Sequence, residues 1–158
     1  MVLAREIPVA HTPEGGWKDE MPPPVLAGCT EPLAPGVADM RGLWKAHAVE
    51  MNGEPVDDLS HVERVEQCGN RVVITSAPII HDMVCDGTLE NGVNDVSGFN
   101  WQPINVAATW EDGKHVLRPN NEVIAVTREL DGDELVWVIV PLKRVTRMRR
   151  IDTDLVRE

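Results

Sequence analysis

Apolar and polar residues alternate along most of the chain after residue 41, and short turn sequences interrupt the alternation at regular intervals. Because successive side chains of a strand point to opposite faces, this period of two predicts β-strands with one buried face. Asn-Gly, Gly-Asn and Asp-Gly pairs between the apolar runs are typical of tight turns. The predicted strands cover residues 42–51, 62–67, 71–76, 79–84, 101–110, 115–118, 122–130, 134–140 and 144–151.

Eight or nine short strands with no long helical period predict an all-β, antiparallel barrel or sandwich. A barrel of about eight strands can hold one small ligand inside. The segment 86–98 is rich in Gly, Asn and Asp, which predicts a long loop.

Residues 1–40 contain seven prolines, so this segment is expected to be an irregular arm and residues 41–158 the barrel domain. One interpretation of the arm is a flexible leader. The other is a segment that packs across the barrel, because Trp17, Leu26 and Leu33 are costly to leave in water.

The strand around Arg128 contains the first indication of function. Ile124, Val126, Arg128 and Leu130 share one face, and three of the four are apolar. This places a guanidinium on the side that is expected to be buried, where it is costly unless an anion meets it. The pattern therefore predicts a cavity whose ligand carries an anionic or polar group.

Three stretches of sequence resemble the calycins, the superfamily of lipocalins and intracellular fatty-acid-binding proteins. Gly42-Leu43-Trp44 is similar to the Gly-x-Trp that opens their first strand, and residues 127–135 and 145–149 are similar to the hairpin and closing strand of the fatty-acid binders. The resemblance implies a single calycin-like β-barrel of about eight to nine strands with an internal ligand. The two helices that cover the fatty-acid binders have no counterpart, because residues 53–61 are too few. The mouth is therefore expected to be open or covered by another segment, such as the arm.

In that family, two arginines and a tyrosine meet the ligand carboxylate. Arg128 and Arg147 match the arginines, and Arg149 stands where the tyrosine would be. An arginine suits a carboxylate because its planar fork makes paired, charge-assisted bonds. The alternative is that one arginine stacks on Trp44 and closes the barrel end. The residues expected to contact the ligand are Arg128, Arg147, Arg149, Trp44, Val126, Ile104 and Val106.

His81 is the candidate catalytic residue if the cavity is an active site. It alternates with Ile79 and Met83, so it is expected to face the interior, where an imidazole can act as acid or base or can simply be a core histidine. His61 and Glu63 share a face and could join it if neighbouring strands bring them together. His47 is expected to point outward from its strand, and His115, which follows a turn, is expected to be exposed.

The composition of the chain argues against several classes of binding partner. A net charge of −11 argues against binding nucleic acid or an anionic membrane, since both need clustered basic residues. Three cysteines without close spacing argue against a disulfide framework and a zinc site, and neither a metal nor a cofactor is expected. The absence of a signal-like or membrane-spanning run predicts a cytoplasmic protein.

The function predicted from these observations is binding of a small, mostly apolar molecule with a polar or anionic group inside the barrel. An isomerase, cyclase or hydratase that uses the same cavity is the alternative, with His81 as acid or base. A third alternative is a protein-interaction module whose barrel is filled by side chains. A homodimer is left open.

Overall fold

The computed structural model describes residues 1–151, which form eleven strands and no α-helix. Positions 152–158 of the predicted barrel domain lie outside the described residues. The strands are β1 Gly42–Met51, β2 Glu54–Val56, β3 Val62–Cys68, β4 Arg71–Ser76, β5 Ile79–Val84, β6 Val93–Val96, β7 Pro103–Glu111, β8 Lys114–Pro119, β9 Val126–Asp131, β10 Glu134–Ile139 and β11 Arg144–Arg150. Two short 3₁₀ turns, Ala4–Glu6 and Val140–Leu142, complete the regular structure.

Ten strands follow one another in a single antiparallel sheet, in the order β5-β4-β3-β1-β11-β10-β9-β8-β7-β6, and β2 pairs with β1 beside this path. The sheet curls into a nearly closed barrel. Between β5 and β6 the ladder is replaced by separate bonds, from the Val84 amide to the Asn91 carbonyl and from the His81 ring to the Val96 carbonyl, each 2.8 Å long. The prediction of an all-β antiparallel barrel is confirmed.

The predicted number of eight to nine strands was too low, because β2 and β6 were not recognised. β2 is three residues long and contains Pro55, and β6 lies within the Asn- and Asp-rich segment that was predicted to be a loop. Neither segment has the composition of a strand. Each becomes one by pairing with a long neighbour, β1 for β2 and β7 for β6.

One end of the barrel is closed by packing around Trp44, which is fully buried. Its indole N–H donates to the Met40 carbonyl at 2.9 Å, and the Arg150 guanidinium lies 4.4 Å from the ring centroid. The Gln67 side chain accepts from the Met40 amide and donates to the Ala38 carbonyl. The stacking of an arginine on Trp44 therefore exists, but the arginine is Arg150.

The arm of residues 1–40 packs against the outer face of β3, β4 and β5. A second apolar cluster lies between them, formed by Ala4, Leu26, Cys68, Val73 and Ile80. The arm is therefore an ordered covering of the barrel wall and not a free leader.

A buried ion pair fastens the first turn of the arm to this wall. Arg71 binds both oxygens of Asp82, at 2.8 and 2.6 Å, and also donates to the backbone carbonyls of Ala4, Ile7 and Pro8. Asp82 in turn accepts from the Ala10 amide. Every polar group of this pair has a partner, so its role in the fold is structural.

Cys29 and Cys68 form a disulfide between the arm and β3, and Cys85 is free and buried. The prediction that the cysteines form no disulfide was wrong. It relied on an odd count and on the lack of close spacing, whereas this bond joins residues 39 positions apart that only the packed arm brings together. Residues 1–151 contain no helix with the length and apolar character that crossing a bilayer requires.

Candidate functional site

A cavity of about 380 Å³ lies at the end of the barrel opposite Trp44. The course of β11 shows this, because Arg144 at its start lines the cavity and Arg150 at its end stacks on Trp44. We call this space the mouth cavity. The barrel strands and the connections beside them contribute Val49, Asp58, Ser60, His61, Val62, Ala77, Trp137, Ile139, Arg144 and Thr146, while Trp17 and Met21 of the arm and Phe99 of the β6–β7 loop complete its rim.

A chain of three charged or polar side chains leads inward from the mouth cavity. The His61 ring nitrogen Nε2 lies 2.7 Å from Glu63 Oε1. The Arg128 guanidinium donates one hydrogen bond to each Glu63 oxygen, at 2.9 and 3.0 Å. Glu63 is fully buried and Arg128 almost so, whereas a quarter of the His61 side chain is exposed. The chain thus connects a cavity-lining imidazole to a buried, bidentate ion pair.

Trp137 holds this chain in place from the side. Its ring centroid lies 4.6 Å from that of His61 and 4.9 Å from the Arg128 guanidinium carbon. The contacts follow from strand register, because Trp137 is the direct partner of Arg128 between β9 and β10. The buried Trp137 indole N–H has no hydrogen-bond partner within residues 1–151.

Electrostatics keep Glu63 ionised. Burial alone would raise the pKa of this carboxyl group, but the Arg128 charge and the bonds from His61 and Arg128 outweigh burial and hold the pKa at about 2. An ionised carboxylate can only accept hydrogen bonds. His61 must therefore donate the proton on Nε2 to Glu63, which leaves Nδ1 as the nitrogen that can accept a proton.

His115 is fully buried beside Arg128, so the prediction that it is exposed was wrong. It follows a turn, but strand parity directs its ring inward with Leu117, and it packs against Trp110 at 5.3 Å between ring centroids. Neither ring nitrogen has a hydrogen-bond partner among the described residues. Burial and the nearby Arg128 charge lower the pKa of His115 to about 3, so the ring is neutral.

His81, the predicted catalytic residue, does face inward, but it does not line the mouth cavity. Its Nε2 is bonded to the Val96 carbonyl, and burial lowers its pKa despite that bond. The ring therefore spans the gap between β5 and β6. Its proposed role in catalysis stays a prediction.

The structure separates the three arginines that were expected to bind a ligand. Arg128 is inside, and its anionic partner is Glu63 of the same chain. Arg147 and Arg149 lie on the outer face of β11, because the intervening Thr146 and Met148 point inward; Arg147 pairs there with Asp131 at 3.1 Å. Of these three, Arg128 alone is therefore placed to act inside the barrel.

The apolar residues expected at the ligand occupy the packed interior and do not line the mouth cavity. Trp44 and Val106 belong to the buried core, and Ile104 packs against that core. Val126 lies on the inner face beside Ile139, which does line the cavity. Their contact with a ligand stays a prediction.

A second cavity, of about 510 Å³, lies outside the barrel between the arm, β5 and residues 90–95. Its buried polar lining is the Arg71–Asp82 pair, whose bonds are all satisfied within the chain. We therefore regard the mouth cavity, with its partly open His61, as the candidate functional site. No group of three or more His, Cys, Asp or Glu side chains within residues 1–151 is arranged to hold a metal ion.

The sequence predicted that His61 and Glu63 share a face, but it indicated them only as possible neighbours of His81. A His-x-Glu pair at strand spacing, together with an inward arginine on another strand, was the available signal. No family model matches the chain, and no curated protein matches it.

Proposed function

We propose that this protein is a calycin-like barrel that binds one small, largely apolar molecule with a polar group in the mouth cavity. The observation that supports the proposal is the cavity itself, whose lining residues are mainly apolar and include His61, the outer member of the His61–Glu63–Arg128 chain. Such a combination of apolar walls with a few convergent polar groups is typical of small-molecule sites. Phe99, which is 73% exposed at the rim, offers an apolar surface at the entrance.

The pairing of Arg128 with Glu63 favours a neutral polar group on the ligand over an anionic one, and the two other charged residues of the lining, Arg144 and Asp58, have opposite signs. The sequence predicted an anionic or polar group because Arg128 needed a buried partner, and Glu63 fills that role. An added anion would compete with Glu63 and would approach a chain of net charge −11. A neutral hydroxyl or carbonyl group avoids both costs and can bond to His61, which lines the cavity.

The test is calorimetry with 2-naphthol and 2-naphthoate, which have similar rings but differ in charge at pH 7. We expect 2-naphthol to bind more tightly by about tenfold or more, which corresponds to roughly 1.4 kcal/mol. Ser60→Phe, which adds bulk to the cavity lining, should weaken binding by a similar factor. Ala48→Phe, on the exposed outer side of β1, is the control and should leave affinity unchanged.

Two results would contradict the proposal. Tighter binding of 2-naphthoate would restore the anionic ligand, and equal effects of the two phenylalanine variants would place binding outside the mouth cavity. Native mass spectrometry of the purified protein would show which molecule accompanies it. If that spectrum is empty and neither naphthalene binds, the alternative of a side-chain-filled interaction module is favoured.

The cytoplasmic location and the homodimer stay predictions. The Cys29–Cys68 disulfide weighs against a reducing compartment, because such bonds persist mainly where conditions are oxidising.

A further inference from the structure

We propose that the mouth cavity is also an active site, in which His61 takes a proton from a carbon of a neutral, apolar substrate. This inference rests on the proposed function, since the substrate must first bind there. It assigns the chemistry to His61 and Glu63 instead of His81. The two are positioned as an imidazole and the carboxylate that orients it.

The hydrogen bond to Glu63 selects the tautomer that a base requires. Glu63 is held from both sides, by His61 at 2.7 Å and by the Arg128 fork at 2.9 and 3.0 Å, so it cannot rotate away from the ring. With the Nε2 proton directed at this carboxylate, the lone pair of His61 is on Nδ1. No residue within 1–151 forms a hydrogen bond to Nδ1, and His61 lines the cavity, which leaves that lone pair available to a bound molecule.

Glu63 can keep its hydrogen bond to His61 after the ring accepts a proton on Nδ1, because both ring nitrogens of an imidazolium are donors. Glu63 is thus a positioning residue, and Arg128 keeps it ionised and oriented. A carboxylate–histidine pair arranged in this order is the part of a catalytic triad that activates the reacting group.

The proposed step needs no external oxidant or reductant. The substrate C–H bond breaks, an N–H bond forms at His61 Nδ1, and the electron pair of the C–H bond moves into a neighbouring carbonyl group or expels a leaving group. In the first case the imidazolium returns the proton to another carbon, so the net reaction is an isomerisation. In the second case the product is an alkene or nitrile.

The chain contains a matched control for this arrangement. His47 is paired with Glu134 on the outer face of the barrel, and its side chain is 27% exposed, compared with 26% for His61. His47 lines neither cavity. Each histidine therefore has its own carboxylate partner, and the two side chains are exposed to nearly the same extent. They differ in that only His61 lines the mouth cavity.

The experiment uses 5-nitrobenzisoxazole, a small neutral aromatic whose ring opens when a base removes its one acidic C–H proton. The N–O bond breaks as the nitrile forms, and the yellow phenolate is measured by absorbance. We expect the wild-type protein to accelerate this elimination over buffer with saturation kinetics. His61→Gln should lower kcat by about 10² to 10⁴-fold, the usual contribution of a general base. His47→Gln should leave kcat unchanged.

Glu63→Gln tests the positioning role. If Glu63 orients the base, kcat falls by about tenfold or more while KM stays within about twofold, because the lost interaction acts on the reacting state. Loss of folded protein alone would lower the apparent kcat at the same KM, so kcat is calculated per folded molecule, with the folded fraction measured by circular dichroism. A kcat per folded molecule equal to that of the wild type would show that the role of Glu63 is merely structural. His61→Gln removes no buried charge, so it gives a clear result even if Glu63→Gln does not fold.

The outcomes separate this inference from the proposed function. If calorimetry shows that the probe binds but elimination is no faster than in buffer, the acid–base role is overturned and the binding function stands. Equal effects of His61→Gln and His47→Gln would likewise overturn the acid–base role alone. If the probe does not bind at all, both the proposed function for this class of molecule and the active site are overturned.

Discussion

The Glu63–Arg128 pair should make the stability of the protein depend on pH in a defined window. The folded pKa of Glu63 is about 2, compared with 4.5 for an unperturbed glutamate. A carboxyl group whose pKa falls on folding stabilises the folded state when ionised. Its contribution is therefore complete above about pH 5 and is lost as the pH falls toward 2. The difference between these two pKa values corresponds to about 3 to 4 kcal/mol, since one pKa unit is about 1.4 kcal/mol.

Glu63→Gln removes this contribution at every pH and leaves Arg128 buried without its counter-ion. At pH 7 the variant should lose about 3 to 5 kcal/mol of unfolding free energy, the usual cost of breaking a buried ion pair. The wild type loses about 2 kcal/mol of its own Glu63 contribution by pH 3, because the unfolded carboxyl group takes up a proton first. The difference between wild type and variant should therefore shrink as the pH falls.

Urea unfolding followed by tryptophan fluorescence at pH 7, 5, 4 and 3 measures this difference. Glu111→Gln is the matched control, because the pKa of Glu111 is also lowered to about 2, by its bonds to Arg118 and Thr109. The Glu111 side chain is 41% exposed, so solvent screens its ion pair and the variant should lose less than about 1 kcal/mol. A difference between wild type and Glu63→Gln that stays constant from pH 7 to 3 would refute the reasoning.

Three further variants test how the arm is fixed. Gly16→Ala should lower the melting temperature more than Gly15→Ala. Both residues have positive φ, but of the two only Gly16 would place its new Cβ against another residue, 2.6 Å from the Pro78 Cβ. Equal losses would contradict this reasoning. Arg71→Met should cost about 3 to 5 kcal/mol and open the first residues of the arm to proteolysis, because it leaves a buried carboxylate and three backbone carbonyls without their donor; an unchanged digestion pattern would speak against the anchor. Cys29→Ser should cost about 2 to 4 kcal/mol and make stability insensitive to reductant, and a wild type that is itself insensitive would argue against the disulfide.

Local pattern was sufficient to identify most of the sheet. Seven of the nine predicted strands begin within one residue of an observed strand, since alternation and turn chemistry are properties of neighbouring residues. The same alternation placed Arg128 on the buried face. Its burial could be predicted because the residues on either side of it along that face are apolar.

The partner of Arg128 could not be predicted in the same way. Glu63 is 65 positions away from Arg128 in the sequence. In the sheet, β1, β11 and β10 lie between the strands of these two residues, so the two side chains meet only because the sheet curls into a barrel. The sequence showed that a buried guanidinium needs an anion, but it could not show whether a ligand or the chain itself provides it. That distinction decides whether the buried guanidinium is evidence for an anionic ligand.

Tertiary contacts also decided the remaining features. His115 is buried because β8 pairs with β9, although its place after a turn suggested exposure. The disulfide forms because the arm lies against β3, and His61 lines a cavity because the arm, the β6–β7 loop and strands of the barrel surround it. The period of a sequence determines which face of a strand is buried. Which side chains meet on that face depends on strand order and register, and these are set by contacts between distant parts of the chain.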